Sequence, residues 1–315
     1  MEPAETWLRM VEEPIVEPAD PVDEESRTAE LPRPGLVPTS VSGAALPPDR
    51  LIPRLGSGLL GWTDRVGGVL LRNVALLVLI ALLAALPTHF FVGSVDDTLI
   101  AAPALSDVIG GFGLLLLPLM WLAYFAVSAL PLLIVLAGAV GVAVPAAADG
   151  ARPRLRTVWS LVAYRLRPLW LWLALFGLVT QGLPLLDSQP DMAPSVAQPL
   201  RILLTITSAG VLAFAGMLGC VVLIEHGRGP NRALHLLTRT PPAGVAGLVV
   251  ASLAFTQLPR LAQAAAGSLA QTATAVVFGV LWAVAALVTY AQARRVEGPV
   301  TSVSLRAELA APELF

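Results

Sequence analysis

The chain has no lysine; every one of its 20 basic residues is arginine. It has one cysteine, Cys220, inside an apolar run. A single cysteine excludes an intrachain disulfide and a thiolate metal cluster, and it reads as a small buried apolar residue. Histidine is nearly as scarce. His89, His226 and His235 are dispersed, and three scattered imidazoles do not make a metal site. Charge is thin overall, at 13% of residues against roughly 25% in an average soluble domain. No basic, aromatic-interleaved surface is present, so nucleic acid is not an expected partner.

Site signatures are missing too. There is no His-Glu-x-x-His, no Gly-x-Ser-x-Gly and no Walker-type loop. The glycine-containing HGRGPNR stretch (residues 226–232) lacks the strand-loop-helix setting of a phosphate cradle. No cofactor is implied, and an enzyme is not the expectation.

What the chain does have is apolar bulk. Apolar residues make up 56% of it, and the mean hydropathy is +0.75. A helix crossing a ~30 Å hydrocarbon core needs about 20 apolar residues. Residues 72–93, 111–146, 168–186, 202–224, 243–259 and 272–292 qualify as candidate spans. The second is too long for one upright helix and contains Pro118 and Pro131. Splitting it would give seven spans and put the arginine cluster of residues 152–167 outside. Cytoplasmic flanks carry excess arginine, so the expectation is six spans, a long tilted or proline-kinked second helix, and both termini cytoplasmic. Inner segments then hold Arg152, Arg154, Arg156, Arg165, Arg167, Arg228 and Arg232, whereas only Arg201 and Arg260 lie near the outer side.

No charge falls at mid-membrane in this assignment, which argues against an ion or proton path. The mild polar residues inside spans, Thr205, Thr207, Ser208, Gln181 and Gln257, read as packing residues, with a substrate path as the alternative.

Residues 1–50 carry 11 of the 22 acidic groups and four arginines, with many prolines. The predicted state is a disordered, cytoplasmic acidic tail. It does not have the basic start and early apolar core of a signal peptide. It serves as a solvated spacer, or docks a protein partner through residues 7–16, WLRMVEEPIV. Residues 51–296 are the six-helix transmembrane domain, and residues 297–315 a short cytoplasmic tail.

Three inner segments share a pattern. Residues 52–69 place Ile52, Leu55, Leu59, Trp62, Val66 and Val69 three and four apart. Residues 153–166 do so with Leu155, Val158, Trp159, Val162 and Leu166 among arginines. In residues 230–239, Pro230 suits a first helical turn, and Leu234 and Leu237 share a face. An apolar stripe with arginines describes a helix lying in the membrane interface. The chain thus reads as three parallel units of interfacial helix, outward span and inward span. Glu225, followed by His226, ends the fourth span. It is expected to form a boundary ion pair with Arg228, Arg232 or Arg165; proton chemistry is the alternative.

Residues 55–87, LGSGLLGWTDRVGGVLLRNVALLVLIALLAALP, resemble the opening of a bacterial six-span integral membrane family. That family also supplies the membrane domain of some glycerophosphodiester phosphodiesterases. Arg72 and Asn73 match its polar pair, and Gly150-Ala151-Arg152-Pro153 its Gly-x-x-Pro stretch. Residues 222–234 are similar to its Glu-x-x-Gly-Pro-x-x-Ala-Leu stretch, with one extra residue between Glu225 and Gly229. Residues 289–309 resemble its closing Tyr-x-x-x-Arg run. The resemblance implies a six-span architecture and brings no defined activity; the phosphodiesterase barrel's His-Arg and Glu-Asn elements have no counterpart here.

The functional expectation is a non-enzymatic inner-membrane protein, acting in envelope homeostasis or as a scaffold that meets anionic lipids and partner proteins. The alternative is a transporter's membrane subunit working with a separate ATPase or an ion gradient.

Overall fold

No proline lies between Gly58 and Leu86, and the first helix, α1, runs unbroken over Gly58–Pro87. Its buried residues include Trp62, Val66, Val69, Asn73, Leu77, Ile80 and Ala84, spaced three and four apart along one face, with Ala81 beside them. This corrects the expectation of a separate interfacial helix over residues 52–69. The apolar spacing continues through Arg72 and Asn73 into the long apolar run, so nothing ends the first helical stretch. Leu59, placed by sequence on the same apolar stripe, is half exposed.

The computed structural model describes residues 49–54, 56–87, 112–151, 153–187, 194–225 and 228–311. The acidic tail through residue 48, taken from sequence as disordered, lies outside them, as do Arg152 and His226. The described residues are helical, with no strand among them. After α1 come α2 (Phe112–Asp149), α3 (Leu155–Val162), α4 (Leu166–Asp187), α5 (Pro194–Ile224), α6 (Pro230–Arg239), α7 (Pro242–Ala266), α8 (Ser268–Glu297) and α9 (Ser302–Ala310). A single 3-10 turn, Ala163–Arg165, joins α3 to α4.

Five of these helices are long and apolar enough to cross a membrane, namely α1, α2, α5, α7 and α8. The chain is therefore a multi-pass membrane protein by helix length and composition. The second span is one helix, as expected: α2 continues for 38 residues through Pro118 and Pro131. At 1.5 Å per residue that is about 57 Å, well beyond a ~30 Å hydrocarbon core. The sixth long helix, α4, has 22 residues and packs against α2 and α5.

The centre of the bundle is α8. From Gly279 to Ala293 it is buried on every face except at Leu281, with Trp282 and Tyr290 fully enclosed. A helix apolar all round belongs inside. It touches α1, α2, α5, α6 and α7. Small residues let these helices approach. A Cβ on Gly216 of α5 would stand 2.9 Å from the Ala286 Cβ, and one on Gly247 of α7 would stand 2.7 Å from the Trp62 ring. Trp62 Nε1 donates to Thr289 Oγ1 at 3.0 Å, and Thr289 Oγ1 donates to the Gly244 carbonyl at 3.4 Å. One buried relay thus ties α1, α8 and α7. The other in-span hydroxyls serve their own helices: Ser208 donates to the Thr205 carbonyl and Ser252 to that of Leu248.

The long helices alternate in direction. Gly267, with φ +83°, is the one residue between α7 and α8. Left-handed backbone there favours glycine. At the opposite end of that hairpin, several contacts gather the other helix ends. Arg295 Nη1 donates to the Pro53 carbonyl at 3.1 Å, just ahead of α1. Arg306 on α9 pairs with Asp149 at the end of α2. Arg294 on α8 reaches Glu225 at the end of α5. We call this the arginine-rich end.

The two short internal helices also sit here. In α3, Val158 and Val162 are buried while Arg156 and Ser160 are exposed. In α6, which begins at Pro230 as expected, the buried face is Ala233 and Leu236. Leu234, expected to share an apolar face with Leu237, is 54% exposed. The helix is turned so that Arg232 faces the bundle, and that turn carries Leu234 outward. Residues 302–310, placed by sequence in the C-terminal tail, form α9, whose Leu305 and Leu309 are buried against α2 and α5. Thr301 and Ser304 cap it reciprocally, at 3.2 and 3.0 Å.

Candidate functional site

The apolar run of α5 ends at Ile224, and Glu225 follows in a short turn before Gly229 and Pro230 open α6. Pro230 occupies the first turn of α6, where its missing N–H costs nothing. This tight reversal brings Arg232, one turn into α6, back onto Glu225. Arg232 Nε meets Glu225 Oε2 at 2.7 Å, and Nη2 meets Oε1 at 3.4 Å. From α8, Tyr290 and Arg294 stand four residues apart on one face. Arg294 Nη1 meets Glu225 Oε1 at 2.8 Å, and the Tyr290 hydroxyl donates to the same oxygen at 3.1 Å. Arg228 Nη1 adds a longer contact at 3.3 Å.

Two further carboxylates complete the cluster. Glu297 on α8 binds Arg232 through Nη1 at 2.7 Å and also faces His235 Nε2 at 3.3 Å. Glu308 on α9 takes both terminal nitrogens of Arg294, at 3.2 and 2.9 Å. Three arginines and three glutamates thus join α5, α6, α8 and α9. Charges taken out of water hold only when paired and hydrogen-bonded, and this cluster meets that condition.

Glu225 is buried, at 6% exposure. Burial alone would raise its carboxyl pKa. The hydrogen bonds and charges of Arg232 and Arg294 outweigh burial and hold it below the usual carboxylate range. Arg232 is held still more firmly protonated, first by its hydrogen bond to Glu297 and then, against its own burial, by Glu225. A carboxyl kept ionised in this way is a poor proton carrier at neutral pH. Its arrangement suits locking four helices together.

The arginines singled out from sequence divide into distinct groups. Arg228 and Arg232 pair with Glu225, as expected. Arg165, the third expected partner, is buried and used differently. It donates to the carbonyls of Leu223 near the end of α5 and of Glu308 and Ala311 at the end of α9. A guanidinium is well suited to capping two helix C-termini, where carbonyls lack partners. Arg154, Arg156 and Arg167 are exposed beside α3 and α4, with no carboxylate within 4.0 Å among the described residues. Arg152 lies outside the described residues, and so does His226, the other half of the Glu-His pair.

Sequence reasoning missed Arg294, Tyr290, Glu297 and Glu308 as partners of this cluster. A signal for two of them existed: Tyr290 and Arg294 are the ends of the Tyr-x-x-x-Arg run, whose spacing puts both on one helical face. Glu297 and Glu308 had no such mark. Among the described residues, no three His, Cys, Asp or Glu side chains stand close enough to hold a metal ion. Cys220 is fully buried in the apolar core. In comparisons with family models, with curated proteins and with solved structures, nothing matches this chain.

Proposed function

We propose that the chain is a non-enzymatic, six-span protein of the cell's inner membrane, with both termini cytoplasmic. In this reading it presents an arginine-rich face to anionic lipids and partner proteins, and acts in envelope homeostasis or as a scaffold. The observation that carries it is the division of the arginines. Arg228, Arg232 and Arg294 are neutralised within the Glu225 cluster and Arg165 caps helix ends. Arg154, Arg156 and Arg167 are left exposed at the same end.

The topology follows from several supports. Six long helices alternate in direction, and α4, at 22 residues, is long enough to span. Their arginine-rich end is the cytoplasmic end by the bias that orients membrane proteins. On this reading α3 and α6 are interfacial helices, and α3–α4–α5 and α6–α7–α8 are two copies of one unit. The pair α1–α2 is a third that lacks a separate short helix. Membership of the six-span family is proposed on the same ground, since Glu225, Gly229-Pro230, Tyr290 and Arg294, which carry the resemblance, meet in one cluster. Residues 1–50 are the proposed contact for a protein partner.

Each arginine near an anionic surface contributes about 1 kcal/mol of attraction. Purification from native membranes with lipid analysis is expected to recover anionic lipid with the protein. Neutralising Arg152, Arg154 and Arg156 to glutamine is expected to remove that preference in vesicle binding. Unchanged preference, or recovery of a stoichiometric ATPase partner, would overturn the scaffold reading in favour of a transport subunit.

A further inference from the structure

A cavity of about 270 Å³ opens between the middle of α1 and the end of α2. Val69, Ala143 and Ala147 give it apolar walls, and its polar lining comes from Arg50, Arg72, Asn73 and Gly150. Arg72 Nη2 donates to the Arg50 backbone carbonyl at 2.6 Å, which ties the Arg72 side chain to the segment that carries Arg50, and both residues line the cavity. Neither has a carboxylate within 4.0 Å among the described residues.

The neighbouring acids make their direct contacts with other groups, although Asp49 and Asp64 still act on Arg72 through space. Asp49 accepts from the backbone N–H groups of Leu51 and Ile52 through one oxygen and from Ser302 through the other. Asp149 pairs with Arg306. Asp64, two turns earlier on α1, has Arg65 beside it to balance it. Asp49 accepts only from neutral N–H groups and so keeps its charge, and the C-terminus of α2 offsets about half a further positive charge, which leaves about half a positive charge from the two arginines at the cavity.

Gly150 makes this geometry feasible. Its φ is +70°, and a Cβ there would stand 2.8 Å from Arg50 Nη1. Glycine therefore serves twice: it takes the left-handed turn that ends α2, and it leaves room for the Arg50 guanidinium.

A second observation points to the kind of ligand. From the cavity's edge, Leu71, Val74, Val78 and Leu82 run down α1 three and four residues apart, each between 46% and 79% exposed. This is an unbroken apolar track along the membrane-spanning part of the helix, starting beside the two arginines. A phosphodiester held by paired guanidiniums, with hydrocarbon leading away along that track, fits both halves.

We infer that the Arg50–Arg72 cavity is a phosphate-binding pocket whose occupant is the phosphodiester headgroup of an anionic lipid, its acyl chain lying along Leu71, Val74, Val78 and Leu82. The inference deepens the proposed meeting of this face with anionic lipids. It rests on that reading, but uses a site separate from the exposed arginines of α3.

The test is native mass spectrometry of the full chain in detergent, with phosphatidylglycerol and phosphatidylcholine added in turn. The wild type is expected to retain one phosphatidylglycerol per chain and no phosphatidylcholine. Arg50→Gln removes no hydrogen bond that the described structure makes, and it is expected to weaken retention about 10-fold, the loss of one charge-assisted contact. Gly150→Ala displaces the same guanidinium and is expected to act in the same direction, with thermal unfolding of both variants checking that they fold. Neutralising Arg154, Arg156 and Arg167 should leave the retained lipid in place while weakening general anionic preference in vesicles. That contrast separates failure of the pocket from failure of the broader reading. Absence of a retained lipid in the wild type, or equal retention by Arg50→Gln and Gly150→Ala, would overturn the pocket. Displacement of the lipid by glycerol phosphate or inorganic phosphate at equal concentration would assign the site to a soluble phosphate and overturn the lipid as its occupant.

Discussion

At Glu225 three guanidiniums and a phenol converge on one buried carboxylate. Glu225→Gln leaves Arg232 with Glu297 and Arg294 with Glu308. The expected loss is therefore about 3 kcal/mol, the low end for breaking a buried pair, read as a lower Tm in detergent. The pH dependence of that loss has a definite sign. The folded-state pKa of Glu225 is depressed below its unfolded value of about 4.3. Its stabilising contribution is complete above that value and disappears as pH falls through the lower, folded pKa. The Tm difference between wild type and Glu225→Gln should hold constant from about pH 8 to about pH 5 and narrow progressively as pH falls below about 4. A gap that instead narrowed near neutrality would mean that Glu225 titrates there, and would reopen a proton-carrying role. The sequence marked Glu225 because an acid at the end of an apolar run is conspicuous. It did not show Glu297 and Glu308, because their roles depend on where α8 and α9 end in space.

Helix contacts set the second scale. Gly247 of α7 faces the Trp62 ring of α1, and Trp62 donates to Thr289 of α8. A valine at Gly247 forces the indole aside and breaks that hydrogen bond. Gly247→Val is expected to cost about 1–3 kcal/mol, whereas Gly210→Ala, with open space around its Cβ position, should change Tm little. Equal effects at the two sites would contradict this packing. The short helix α9 offers another test. Truncation after residue 300 removes the burial of Leu305 and Leu309 and both partners that Glu308 and Ala311 supply to Arg165 and Arg294. With buried leucines worth about 1.5–3 kcal/mol each, the shortened chain should unfold at least about 3 kcal/mol earlier. A Tm within error of wild type would show that α9 is dispensable to the bundle. Of these elements, the long helices were legible from apolar run length, and α6 from Pro230. The merger of residues 58–69 into α1 was not, since the same three-and-four spacing serves a surface helix and a buried one alike.

For the whole molecule, the amino-acid sequence by itself determined the class. Its apolar share, its long uncharged runs and its arginine-flanked ends leave no soluble core as an alternative, because hydrocarbon is the only surrounding that suits so much exposed leucine, valine and isoleucine. It favoured a single second span through the arginine bias, but the continuity of α2 through Pro118 and Pro131 was decided by the tertiary structure. Tertiary structure alone decided which charges neutralise one another. Arg232 and Arg294 lie 62 positions apart in the chain yet share one carboxylate, and Asp49 fastens the segment ahead of α1 to the first turn of α9. Helix periodicity fixes which face a residue occupies, but the partner opposite that face is set by how the helices pack. Thus arginines that read alike in sequence separate in space into a lock on the bundle, a cap on helix ends, and a remainder exposed to the surroundings.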